Sequence, residues 1–189
     1  TFTMYCTDAL GLDTALLAIL LLIWNTWDFI NDPLMGALMD KVFAKNKNSK
    51  GKFRPWLLRS APLVCVTFIA LWSVPQFFDG VALVAILFCL KILYEATYTM
   101  FNIPMGSLLS AMSTNDTERA SLSSARGVGS MIGNMVPAML APIILGMFDT
   151  RDSKPYAIIA IICAVVGFVI CLLHYFYTEE RTIVGENVK

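Results

Sequence analysis

Five stretches of this chain, roughly 14–39, 57–78, 81–111, 121–147 and 155–177, stay apolar for the ~20 residues a helix needs to cross a bilayer. Hydrocarbon offers no water to an unpaired N–H or C=O, so each stretch is expected to be an α-helix. Alternating strand patterns are missing, which rules out a transmembrane barrel. Composition agrees, since 57% of residues are apolar and 15% charged, with a mean hydropathy of +0.67, far from a soluble domain. The expected fold is all-α: a polytopic membrane helix bundle with short connections and no soluble domain. Residues 1–13, TFTMYCTDALGLD, read as the last turn of a preceding helix and a loop. With neither an initiator methionine nor a signal-peptide pattern, the chain is expected to be part of something longer.

Charge placement says more than net charge, which is zero from 14 basic and 14 acidic residues. Seven of the basic residues, Lys41, Lys45, Lys47, Lys50, Lys52, Arg54 and Arg59, crowd around one connection, 40–56. Basic loops stay on the cytoplasmic side, so this loop and, by alternation, the tail after Tyr177 are expected inside the cell. An inner-membrane, multi-pass location follows, with the lipid bilayer as a partner and no nucleic acid. The five cysteines, Cys6, Cys65, Cys89, Cys163 and Cys171, show no paired spacing and read as free thiols. His174, the single histidine, falls near the inner end of the last helix and reads as an interfacial residue.

Polar side chains inside the apolar runs are costly and need a reason. In WDFINDPLMGALMD, residues 27–40, a helical wheel places Asp28, Asn31 and Asp32, with Asn25, within about 120°. Two carboxylates one turn apart repel unless a proton or small cation lies between them. Hard oxygens from two acids and an amide suit such a cation; an interhelical salt bridge is the other reading. Pro33 withholds a backbone donor and frees a carbonyl beside the pair. A matching stripe, Lys91, Glu95, Tyr98, Thr99, Asn102 and Gly106, covers about 100° of the run KILYEATYTMFNIPMG. Within it Lys91 and Glu95 are spaced to form an intramembrane ion pair, either to neutralise each other or to meet substrate. In the next span Arg126, Ser130 and Asn134 share a face, and Gly127, Gly129 and Gly133 allow close helix packing. Arg126 stays charged and needs an acid or a substrate oxygen as its partner.

WDFINDPLMG, then GKFRPW after the basic loop, then TYTMFNIPMGSL and ERASLSSAR resemble, in order and spacing, the glycoside-pentoside-hexuronide:cation symporter family of the major facilitator superfamily. The resemblance covers nearly the whole chain and implies the N-terminal half of a major facilitator fold, from the end of helix I through helix VI. It also implies that a C-terminal half, outside this chain, completes the carrier as its partner. By that resemblance Asp28, Asn31, Asp32 and Thr99 bind the coupling cation, Na+, Li+ or H+. The only metal implied is Na+ at Asp28 and Asp32. Tyr98, Asn102, Gly106 and Arg126 fall at sugar-site positions. Asn102 and Gly106 replace the aspartate and tryptophan of the family's α-galactoside branch, which points to another glycoside, a pentoside or a hexuronide.

The expected function is therefore secondary active symport of a sugar, glycoside or uronide with a monovalent cation, and no other cofactor. An enzyme is not expected, because no nucleophile–base pair or metal-ligand cluster is present in the pattern. The alternatives are a cation-coupled major facilitator carrier of a lipid-like or drug substrate and, further off, a structural membrane subunit.

Overall fold

The computed structural model describes residues 2–45, 53–113, 115–148 and 152–178. A short α1, Phe2–Met4, runs on as a π-helical turn, Tyr5–Ala9, into the loop before α2, Thr14–Lys45. Next come α3, Arg54–Ser73, with a 3-10 turn at Pro75–Phe77, then α4, Gly80–Met112, α5, Asp116–Leu145, and α6, Lys154–Tyr177. Five of these helices are long and apolar enough to cross a membrane. Isoleucines, valines and phenylalanines such as Ile19, Phe29, Val81, Ile158 and Phe176 stand exposed along them, as lipid-facing side chains do. The all-α membrane bundle expected from the sequence is the fold observed.

Several helix ends lie outside the limits read from hydropathy. Helix α2 continues to Lys45, six residues past 39, as its apolar core gives way to a basic last turn. Helix α5 begins at Asp116 and not at 121, since the Asn115 side chain accepts the Thr117 N–H at 3.0 Å, a cap preceding two acids in the first turn. Helix α3 begins with Pro55 in its first turn, where the missing N–H costs nothing. Gly80, at φ 57°, makes the reversal from the 3-10 turn into α4, a conformation open to glycine. Lys47, Lys50 and Lys52 of the basic connection, Arg151, and the tail from 179 on lie outside the described residues.

Helix α4 is the axis of the bundle. It runs parallel to α2: Trp24 stacks on Phe88 with ring centres 6.4 Å apart, Thr99 meets Asp32 further along, and Met39 shares a cluster with Leu108 beyond that. On its other side it is antiparallel to α3, through Phe68 with Tyr94 and Trp56 with Met100. The Trp56 contact has a covalent cause. Pro104 has no N–H to give the Met100 carbonyl, and the indole N–H of Trp56 supplies one at 3.3 Å. Helix α6 backs α3 in antiparallel sense, with Trp72 stacked on Tyr156 at one end and Arg54 donating to the Tyr175 carbonyl at 2.7 Å at the other. Helix α5 packs lightly on α4 and α6, and nearly all of its side chains are exposed. Two apolar clusters close the ends: Tyr5, Trp24, Leu71, Leu87 and Tyr156 with their neighbours at one, and Met39, Phe43, Leu57 and Leu108 at the other.

Candidate cation and substrate sites

Between those two clusters the seam of α2 and α4 turns polar. Asn31 is 1% exposed and Thr99 8%. The Asn31 side-chain N–H donates to Thr99 Oγ1 at 3.1 Å, and the Thr99 hydroxyl donates to Asp32 Oδ1, also at 3.1 Å. A hydroxyl has one proton to give and two lone pairs. Thr99 therefore acts as a relay, fixing the amide on one side and orienting the carboxylate on the other. The Asn31 amide oxygen is buried without a hydrogen-bond partner. A buried, unpaired carbonyl oxygen costs about 1–3 kcal/mol, so this atom marks a place where a ligand gains by arriving.

Asp32 itself is exposed, while Asp28, one turn earlier, is partly buried. Asp28 lies within the electrostatic reach of both Asp32 and Lys91. Pro33 leaves the Phe29 carbonyl without its usual helical donor. The Asn31 amide oxygen, the two carboxylates and the Thr99 oxygen thus give four protein groups with hard oxygen donors on one short stretch of the seam. Such a set suits a small monovalent cation or a proton. Asn25 is exposed on the same helix and contributes no contact to the set.

The second group lies where α5 meets α4. One Nη of Arg126 donates to Asn102 Oδ1 at 3.2 Å, and the other Nη would stand 3.4 Å from a Cβ placed on Gly106. A Cβ at 106 would be in ordinary contact with the guanidinium, whereas a large side chain there would compete for its place. Among the described residues the Arg126 hydrogen bond goes to an amide and not to an acid, so its charge is left to balance against something from outside. Arg126 keeps donors to spare, because a guanidinium carries five N–H groups. Ser130 and Asn134, on the same face of α5, are exposed.

Tyr98 is placed apart from this pair. Its ring stacks on Tyr94 with centres 6.1 Å apart and borders an apolar cavity of about 250 Å3 between α3, α4 and α6, with Cys65, Phe101 and Phe168. The wheel put it at the margin of the α4 stripe, and packing of the neighbouring tyrosine turns it to the apolar side. Lys91 and Glu95 form the ion pair expected of them. All five cysteines are free thiols. Sequence reasoning missed the Trp56 contact, although a proline four residues after Met100 signals a carbonyl in need of a donor. It also missed the hydroxyl pair Thr67–Thr97, 2.8 Å apart across α3 and α4.

A sequence model of the MFS/sugar transport protein family matches residues 1–188. The chain belongs to that family. The resemblance to glycoside-pentoside-hexuronide:cation symporters is thus carried by relatives of that group along almost the full chain. An Escherichia coli inner membrane symporter, YicJ, is 30% identical over 94% of this chain and 38% of its own length. The glucuronide carrier protein homolog of the same organism is 29% identical over 95% of this chain and 38% of its own. The human sodium-dependent lysophosphatidylcholine symporter 1 is 29% identical over 78% of this chain and 26% of its length. The chain thus spans about two-fifths or less of the length of these relatives, and it is a multi-pass membrane bundle of the major facilitator kind.

Proposed function

We propose that the carrier containing this chain is a secondary active symporter, driving a sugar, glycoside or uronide across the membrane with Na+ or H+. The observation that carries the reading is the Asn31–Thr99–Asp32 chain, whose buried amide oxygen has no partner. A cation bound there, with Asp28 completing its shell, would neutralise the acids and draw α2 and α4 together beside the Arg126–Asn102 group. Substrate oxygens would meet that group. A uronate carboxylate suits a guanidinium with donors to spare, through two parallel hydrogen bonds. Linkage makes the coupling reciprocal, so substrate should tighten cation binding by the factor by which cation tightens substrate.

The names of the relatives support a sugar over a lipid. The glucuronide carrier homolog and the isoprimeverose transporter of Lactiplantibacillus pentosus match over 95% and 96% of this chain, and the lysophosphatidylcholine symporter over 78%. For Na+ we assign Asp28 and Asp32 as the charged ligands, with the Asn31 and Thr99 oxygens beside them. Excess basic residues around 40–56 favour that connection and the C-terminal tail on the cytoplasmic face, in a cell or inner membrane.

The test is uptake by the full-length carrier in vesicles, with and without Na+ and with an imposed pH gradient. Asp32→Asn keeps the shape and the Thr99 hydrogen bond but removes the charge. Uphill uptake should fail and cation stimulation of substrate binding should vanish, with folded yield near wild type. A salt-bridge role makes the opposite forecast: yield falls because a buried cation is stranded, while cation stimulation of the surviving protein persists. That second pattern would refute the cation site.

A further inference from the structure

About two turns of α4 before Thr99, the ion pair Lys91–Glu95 is left over by the transport reading. Its side chains are 19% and 16% exposed. The ammonium also sits over two rings, 5.7 Å from the centre of Phe2 and 5.6 Å from that of Tyr94. A pair serving only to neutralise itself for insertion could face in any direction. This one occupies the arc of α4 that carries Thr99, and the register of the seam sets it level with Asp28, with its ammonium paired to Glu95. Trp24 is level with Phe88 and Asp32 with Thr99. Asp28 is midway between Trp24 and Asp32, so the α4 residues opposite it are those around 91–95. Asp28 and Lys91 each feel the charge of the other.

We propose that Lys91 is a tethered competitor for the coupling cation, its ammonium able to swing from Glu95 to Asp28, so that the cation must exclude it from Asp28 to bind. The inference rests on the cation-symport reading above. Its physical motive is the empty site: two carboxylates one turn apart in a membrane need a counter-charge when no cation is present. An ammonium on a flexible four-carbon stem can supply one and withdraw. Glu95 holds it when the site fills. Competition also weakens cation binding, which lets the cation leave on the inner side. The charged and titratable groups around Lys91 are few. Its own helix brings Glu95 and Tyr94, and α2 brings Asp28. Cys65 is alone on α3 between 60 and 73, α5 has none beyond Gly127, and Asp79, Tyr5, Cys6 and Asp8 stand toward the outer end.

The experiment measures the concentration of Na+, Li+ or H+ that half-activates uptake by the full-length carrier, for wild type, Lys91→Gln, Lys91→Arg, Glu95→Gln and the double variant Lys91→Gln/Glu95→Gln. A unit charge about one to two turns from an ionic site, at an effective dielectric near 20, is worth about tenfold in affinity. Lys91→Gln should lower the half-activating concentration about tenfold. Glu95→Gln should raise it about as much, because the freed ammonium settles on Asp28. Lys91→Arg keeps the charge and should stay within threefold of wild type. The double variant leaves no unpaired charge, should follow Lys91→Gln, and keeps the test available if a single variant does not fold. Single variants within twofold of wild type, or both moving in the same direction, overturn the proposal while leaving symport standing. A wild type activated by none of the three cations overturns symport and this role with it.

Discussion

The two faces of α4 are held by different physics. Toward α3 the contacts are aromatic rings, a Thr pair and an indole satisfying a proline-freed carbonyl. Toward α2 the middle of the seam is a polar chain that ends in an unpaired amide oxygen and an exposed carboxylate. A face whose hydrogen bonds are closed is a scaffold. A face left one partner short holds its stability in reserve for a ligand, because the cost of the unpaired oxygen is recovered on binding. One helix thus presents a ring-packed side to α3 and, toward α2, a polar seam that the proposed cation site would use.

The largest effect expected from this contrast is on the side toward α2. Asn31→Leu removes the unpaired oxygen together with the N–H that holds Thr99, and replaces them with a side chain of similar size. The cation concentration that half-activates uptake should rise at least about 100-fold, or about 2.7 kcal/mol. Thermal stability without cation should hold or improve, since a buried, half-satisfied amide has gone. A loss of stability with unchanged cation activation would erase the distinction between the faces.

On the apolar side the signs reverse. Leu87 is fully buried in the apolar cluster that holds Trp24 and Tyr156. Leu87→Ala should lower stability by about 2 kcal/mol through the cavity it leaves, read as a lower melting temperature of the purified full-length carrier. Its cation half-activation should stay within twofold of wild type. A large shift there would mean that this cluster belongs to the site.

Much of this was legible from residue order. The five spans and the Lys91–Glu95 pair follow from apolar run length and helical period and are found in the fold, and the α4 stripe keeps Thr99 toward α2 but loses Tyr98 to the α3 side. Which neighbour each stripe faces was not legible. A wheel puts Asn31 and Asp32 about 100° apart within one arc but does not say which of them is covered; Asn31 is 1% exposed and Asp32 open, because burial depends on where α4 lies and not on α2 alone. Tyr98 and Thr99 are adjacent, and packing sends one to an apolar cavity and the other to the polar seam. Helix ends were missed where a cap such as Asn115 acts a few residues outside the apolar run. The helical period places Gly106 on the α4 stripe, but the Arg126 guanidinium lying against it comes from α5 and shows only in the fold.

The smallest effect, and the finest test of the contrast, concerns Thr67 and Thr97. Their oxygens are 2.8 Å apart across the α3–α4 face, which looks like a strong link between helices. Each hydroxyl, however, has only one proton, and each also lies within hydrogen-bond distance of its own backbone, Thr67 of the Leu63 carbonyl at 2.9 Å and Thr97 of the Leu93 carbonyl at 3.1 Å. Whichever threonine donates across the gap gives up its bond to the preceding turn, so the net gain is the difference between two similar hydrogen bonds. Cross-helix bonds of this kind are worth about 0.6 kcal/mol on average. A double-mutant cycle of Thr67→Val and Thr97→Val in the full-length carrier should give a coupling of about that size, with cation half-activation unmoved in all three variants. A coupling above about 1.5 kcal/mol would show that α3 and α4 are pinned by this pair and not by their aromatic contacts. A shift in cation affinity would mean that the scaffold face and the binding face are one mechanical unit.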